Sequence, residues 1–191
     1  QTGCGNQAMK TAVKPSAPVW RTLFVWVASL GLVLAGCSST APPAPLPAAR
    51  AQAMRLAADA AQLSAAENWP AAVRQWQVAA DHYSLLNDPT NEAVAWHNLG
   101  QARRESGERT LAREAFEKAA TMNQAYCQTD AWWRNQLALV QVDSDLDDTN
   151  AVTRRLTDLS ARPVPPDLEG YFANEQARDR IRQGNAPSAS V

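Results

Sequence analysis

Residues 93–123, AVAWHNLGQARRESGERTLAREAFEKAATMN, are the stretch from which the fold can be read. Trp96, Leu99, Gly100, Ala102 and Arg103 recur three and four apart, and after the interruption Glu105-Ser106-Gly107-Glu108 the same period returns in Leu111, Ala112, Ala115, Phe116 and Ala119. Two runs of helical period broken by a short polar segment with glycine predict two amphipathic helices folded into a hairpin. The residue sizes agree with that geometry. Trp96 and Phe116 can fill the space between helices, while Gly100, Ala112 and Ala119 let two backbones approach closely.

The stretch resembles a tetratricopeptide repeat, whose signature runs W-x2-L-G-x2-Y, then A-x3-F, then P. Here it reads Trp96-x2-Leu99-Gly100, Gly107 at the turn, Ala112-x3-Phe116 and Ala119, with Arg103 where the aromatic is usual and Gln124 where the proline is usual. The resemblance implies an all-α solenoid of stacked helix-turn-helix units.

Working outward, residues 50–66 are rich in alanine and free of glycine and proline, which favours helix. Asn68 as N-cap and Pro70 in the first turn open a second helix running to about Leu86. Ala72, Trp76 and Ala79 there match Ala112, Phe116 and Ala119, so 50–86 reads as a first, divergent repeat. Its offset is forty residues rather than the usual thirty-four or so, and Asn87 to Asn91 reads as a loop holding the difference. On the other side, Thr129-Asp130 can cap a helix carrying Trp132, Trp133, Leu137, Val140 and Val142. An acidic, solvated turn at 143–148 leads to a helix with Val152, Leu156 and Leu159, giving a third repeat over 129–161. After Pro163, Pro165 and Pro166, a terminal helix from Asp167 to Gln183 should turn Leu168, Tyr171, Phe172 and Ile181 inward and cap the array. The helical domain thus spans 50–183, and 184–191 should form a disordered tail.

The N-terminal part carries a different message. Residues 1–8 precede the first methionine, Met9, show no hydrophobic period and read as upstream or fragment residues. Lys10, Lys14 and Arg21 then precede the apolar run LFVWVASLGLVLA at 23–35, which is short of the roughly 20 residues a spanning helix needs and suits a signal-peptide core within 9–36. Leu34-Ala35-Gly36-Cys37 resembles the bacterial lipobox, a likeness that implies cleavage before Cys37 and diacylglycerol and acyl chains on its thiol, with no other cofactor. Several chains, each contributing about 0.8 kcal/mol per buried CH2, would hold the protein durably on a membrane. By the same resemblance, Ser38 after the cysteine implies the outer membrane, facing the periplasm. Residues 37–49, with four prolines and no charge, form an extended tether of about 3 Å per residue.

From Cys37 onward the chain holds 15 Lys and Arg against 19 Asp and Glu, a balance that gives no basic patch for nucleic acid. With Cys37 acylated and Cys4 upstream, no internal disulfide is expected, and Cys127 reads as a small apolar residue at a helix start, with an intermolecular bond as the alternative. Catalytic or metal chemistry needs clustered acids, bases, nucleophiles or ligands, and the sequence shows none. His82 and His97 fall in different repeats without ligands at close spacing. The acidic run at 143–148 lacks the sixth-position glycine and the twelfth-position glutamate of a calcium loop, where Arg154 stands instead. Trp76 and Trp96 fall on core positions. Trp132 and Trp133 point about 100° apart, so both cannot face the same core and one can be left for a surface contact, although core is the better reading for each taken singly.

In tetratricopeptide domains the first helices of successive repeats line a concave groove that holds a peptide. Carried over position by position, the resemblance implies that Val94, His97, Gln101, Arg104 and Glu105, joined by Arg134, Leu137 and Gln141, line such a groove. His97, Gln101, Arg104 and Arg134 would donate to the carbonyls or a carboxylate of an extended partner. The expectation is a lipid-anchored, non-enzymatic scaffold or assembly factor that docks another envelope protein. A periplasmic ligand- or peptide-sensing module and a purely structural envelope protein are the alternatives.

Overall fold

The computed structural model describes residues 47–184; the lipobox, the signal segment, most of the tether and the tail lie outside them. Among the described residues there are seven α-helices and no strand: α1 (Ala48–Ala65), α2 (Trp69–Leu85), α3 (Pro89–Glu105), α4 (Arg109–Ala125), α5 (Thr129–Asp145), α6 (Thr149–Ser160) and α7 (Glu169–Arg182). Each helix from α1 to α6 packs on the next, and α7 lies against both α5 and α6. The result is an all-α, repeat-like stack of consecutive helix pairs. No helix of the described residues is long and apolar enough to cross a membrane.

The repeat is metrically regular. Glu67, Asn87, Gly107, Cys127 and Asp147 fall twenty residues apart, and each takes a left-handed backbone with φ between 50° and 82°. In every case the following amide reaches back to close the preceding helix: Asn68 N to Leu63 O, Asp88 N to Tyr83 O, Glu108 N to Arg103 O, Gln128 N to Asn123 O and Asp148 N to Asp143 O, all at 2.8–3.0 Å. This is the Schellman ending, and the residue that closes one helix is also the N-cap of the next. Helices α2 to α5 are 17 residues each, so helix plus turn occupies twenty and a pair occupies forty.

That regularity corrects the reading of 87–91 as a loop. Asn87 and Asp88 form the same tight turn as elsewhere, Pro89 begins α3, and Thr90 and Asn91 are already helical. Proline needs no amide partner in the first turn, and the Asp88 side chain caps the Asn91 amide. The extra length beyond a thirty-four-residue unit therefore resides in longer helices. Two other caps differ as well: Asn68 occupies the N-cap position without a side-chain cap bond, and Gln128, not Thr129 or Asp130, is the N-cap of α5.

The buried apolar side chains fall into three clusters along the stack. Alanines dominate the first half, with Ala53, Ala60, Ala72, Ala79, Ala95, Ala112, Ala115 and Ala119 at most 1% exposed around Trp76, Leu99 and Phe116. Bulkier groups take over in the second half, where Trp133, Val140, Val152 and Leu159 are buried between α5, α6 and α7, and Leu139 and Val142 pack against Ala112 and Phe116 of α4. Of the two adjacent tryptophans, Trp133 is in the core and Trp132 is half-buried at the surface. Trp96 is also half-buried, its ring covered by the Lys118 ammonium at 3.8 Å. Arg103, standing where an aromatic is usual, instead spans α2 to α4 by donating to Gln77 Oε1 and to the Leu111 carbonyl.

The acidic run proves to be divided between two environments. Asp148 caps α6 by accepting from the Ala151 amide, as a turn acid should. Asp143, however, is a fully buried residue of α5, held between Arg113 Nε at 2.9 Å and Arg155 Nε at 3.0 Å. A buried carboxylate is tolerated only when paired, and both arginines arrive from neighbouring helices, out of sight of a local sequence window. The terminal helix is corrected similarly. Leu168 and Phe172 are buried, but Tyr171 and Ile181 are 66% and 63% exposed. The inward stripe is Leu168, Phe172, Glu175 and Asp179, spaced four, three and four.

Cys127 occupies one of the left-handed turn positions and is exposed.

Candidate functional site

Helices α3, α5 and α7 begin at 89, 129 and 169, forty residues apart, and form one row. Between them lies a cavity of about 430 Å³. His97 and Gln101 of α3, and Arg134, Leu137, Ala138 and Gln141 of α5, form two sides. Asp167 and Leu168, with Tyr171 and Glu175 of α7, form the third. The four-residue steps 97 to 101 and 137 to 141 place these side chains on one stripe of each helix.

Four of the five groove residues named from the sequence, His97, Gln101, Arg134 and Gln141, meet here, as does Leu137. Arg104 stands one turn further along, outside the cavity lining, with its Nε 2.6 Å from Asp145 Oδ2 and its Nη1 3.1 Å from Gln141 Oε1. Val94 and Glu105 are exposed on α3 and do not line the cavity. The third wall was missed, because α7 had been taken for an inert cap. Its start forty residues after α5 is the signal that places it in the same row.

The electrostatics differ from the expected cationic clamp. Arg134 pairs with Asp167 at 3.1 Å, and Arg104 is matched by Asp145. Glu175, 5% exposed, accepts from Gln141 Nε2 at 3.2 Å and Arg178 Nη1 at 3.1 Å. Gln141 is thus a relay whose carbonyl takes a bond from Arg104 while its amide gives one to Glu175. Both expected guanidinium donors already face carboxylates of this chain, so a partner carboxylate would compete with them.

His97 is held in one orientation. Asn135, 1% exposed, donates from Nδ2 to the Ala131 carbonyl at 2.8 Å, which turns its Oδ1 toward His97 Nδ1 at 2.9 Å. An acceptor at that position puts the ring proton on Nδ1 and leaves Nε2 as an acceptor. The ring meets Phe116 edge-on at 5.4 Å. Burial lowers the His97 pKa from 6.5, with the Arg134 charge acting in the same direction and the Asn135 bond opposing. The neutral ring is therefore the resident form at neutral pH. The unfolded chain binds this proton more readily, so the contribution of His97 to stability is complete above pH 6.5 and is lost as the pH falls below it. Urea unfolding at about pH 7.5 and about pH 5.5 should show a larger loss of stability on acidification in the parent than in His97→Gln. An equal loss in both would rule out the assigned tautomer and environment.

Chemically the site offers Gln101 as a neutral donor and acceptor, His97 as a neutral ring, the Tyr171 hydroxyl, and an apolar floor of Leu137, Ala138 and Leu168. Such a set matches the alternating amide and carbonyl groups of an extended main chain. No family model matches the chain, nor does any curated protein or solved structure.

Proposed function

We propose that this protein is a tetratricopeptide-like solenoid, anchored by lipid at Cys37 to the periplasmic face of a bacterial outer membrane. In this reading it docks an extended segment of another envelope protein in the groove between α3, α5 and α7. The observation that carries the proposal is the meeting of His97, Gln101, Arg134 and Gln141 in one cavity between three helices. The Leu34-Ala35-Gly36-Cys37 motif behind a short apolar run supports the anchor. The docking mode is one of neutral hydrogen bonds to main chain, since the local arginines face internal acids.

The test is a display selection of random peptides on the full chain. Recovered segments should lose binding by about tenfold or more when Gln101→Ala and Gln141→Ala are combined, and keep it with the exposed α2 substitution Arg74→Ala. Binding insensitive to the groove pair would refute the site. The anchor is checked separately by intact mass of membrane-extracted protein, which should begin at Cys37 with added acyl mass.

A further inference from the structure

A second concavity lies away from the α3–α5–α7 groove, between α5 and α6. It measures about 250 Å³, and Trp132, Gln136, Arg154, Arg155, Asp158 and Arg162 are among its lining. An adjoining hollow of about 290 Å³ shares Trp132, Gln136 and Arg155 with it and extends toward α4. Three guanidiniums and one carboxylate line the first hollow; the second carries Glu117 as its acid.

The arginines differ in how they are held. Arg155 is fixed from behind, with Nε on the buried Asp143 and Nη1 on Gln136 Oε1, both at 3.0 Å. That leaves its second terminal nitrogen for the hollow. The Arg162 guanidinium lies 4.8 Å from the centre of the Trp132 ring, a cation–π seat that orients the fork without neutralising it. Asp158 sits four residues from both Arg154 and Arg162 on or just beyond α6, a spacing that favours ion pairs. Arg154 and Arg162 make no ion pair among the described residues, as is also true of Arg55, Arg74, Arg103, Arg109, Arg180 and Arg182, whereas Arg50, Arg104, Arg113, Arg134, Arg155 and Arg178 do. What sets these two apart is their position, since both line one hollow with a third guanidinium that is locked in place.

We propose that this hollow binds an oxyanion, a carboxylate or a phosphate, through the forks of Arg154, Arg155 and Arg162, with the body of the ligand lying along Trp132 and Gln136. Planar guanidiniums recognise both groups through paired N–H bonds, and a site of this size suits the anionic head of a ligand rather than the whole of one. The site is independent of the groove and of the docking proposed there.

The test follows the Trp132 indole N–H resonance of the full chain, assigned with Trp132→Phe, during titration with phenyl phosphate, benzoate and benzyl alcohol. Phenyl phosphate or benzoate should give a saturable shift that weakens by about tenfold or more in Arg154→Gln/Arg162→Gln, and is intact in Arg74→Gln. Tighter phenyl phosphate assigns a phosphoryl ligand and tighter benzoate a carboxylate; either supports the site. Arg162→Lys, which keeps the charge and removes the fork, should fall between the parent and the double variant, and serves if the double variant does not fold. The proposal is overturned if neither anion saturates, if benzyl alcohol reproduces the shift, or if the double variant and Arg162→Lys both bind as the parent does.

Discussion

Trp133→Ala should lower stability by about 4 kcal/mol and the melting temperature by roughly 10 °C, and should free α7 from the stack. Trp133 is 1% exposed, meets Phe172 of α7 edge-on at 5.6 Å, and packs among Val152, Leu156, Leu159 and Leu168. It is a large side chain of the preceding pair whose ring meets a buried ring of α7. Beyond that shared apolar cluster, α7 is attached by hydrogen bonds: Glu175 to Gln141, Asp179 to Thr153, Gln176 to Ser160 and Arg182 to Ser144. Exposed or half-exposed bonds of this kind each add about 1 kcal/mol or less. Removing the indole therefore leaves Leu168 and Phe172 facing a hole, and Tyr171 and Glu175 go with them from the groove. Limited proteolysis of the segment 161–168 should accelerate together with the fall in stability. Trp132→Ala is the control, since that ring is only half-buried at the edge of the same cluster and its loss should cost about 1 kcal/mol. Equal effects at 132 and 133 would mean that the assignment of core and surface between the two rings is inverted.

What could be read in the sequence was whatever is local. Trp96, Leu99 and Gly100 followed by Ala112, Phe116 and Ala119 disclose two helices because period and residue size coincide within one window. His97 and Gln101 could be named for the groove because a four-residue step on a helix fixes a common face. What could not be read depended on partners from distant helices. Asp143 looks like a turn acid until Arg113 and Arg155 are brought to it, and Glu175 and Asp179 look solvent-facing until Gln141 and Thr153 are placed beside them. The turns were hidden for a different reason. Only Gly107 among the five left-handed positions is a glycine, while Glu67 and Cys127 accept the strain of that conformation without any sequence mark. Once one turn is known, however, the twenty-residue spacing supplies the others, and with them the place of α7 in the groove.

The same spacing makes a prediction about packing that a fold assignment alone does not. An added Cβ at Gly100 would lie 2.8 Å from Phe116 Cδ1 and Cε1 and 2.9 Å from Cζ, and that ring has no exposed surface into which to retreat. Forty residues on, the corresponding pair is Val140 and Leu156; forty residues back, it is Ala60 and Trp76. In each unit a smaller residue on the first helix accompanies a larger one on the second, and the later pair evens out the sizes. Gly100→Val should therefore destabilise by about 3 kcal/mol through overpacking, against a helix-propensity gain of only about 0.5 kcal/mol. Phe116→Leu alone should cost about 1 kcal/mol, by loss of ring volume and of the edge contact with His97. Combined, the two recreate the Val140 and Leu156 pairing, and the double variant should be more stable than the sum of the single effects by at least about 1 kcal/mol. Urea titration of the four proteins gives that coupling directly. Simple additivity would show that positions forty residues apart share a spacing without sharing an environment, and the repeat would then be a matter of helix length alone.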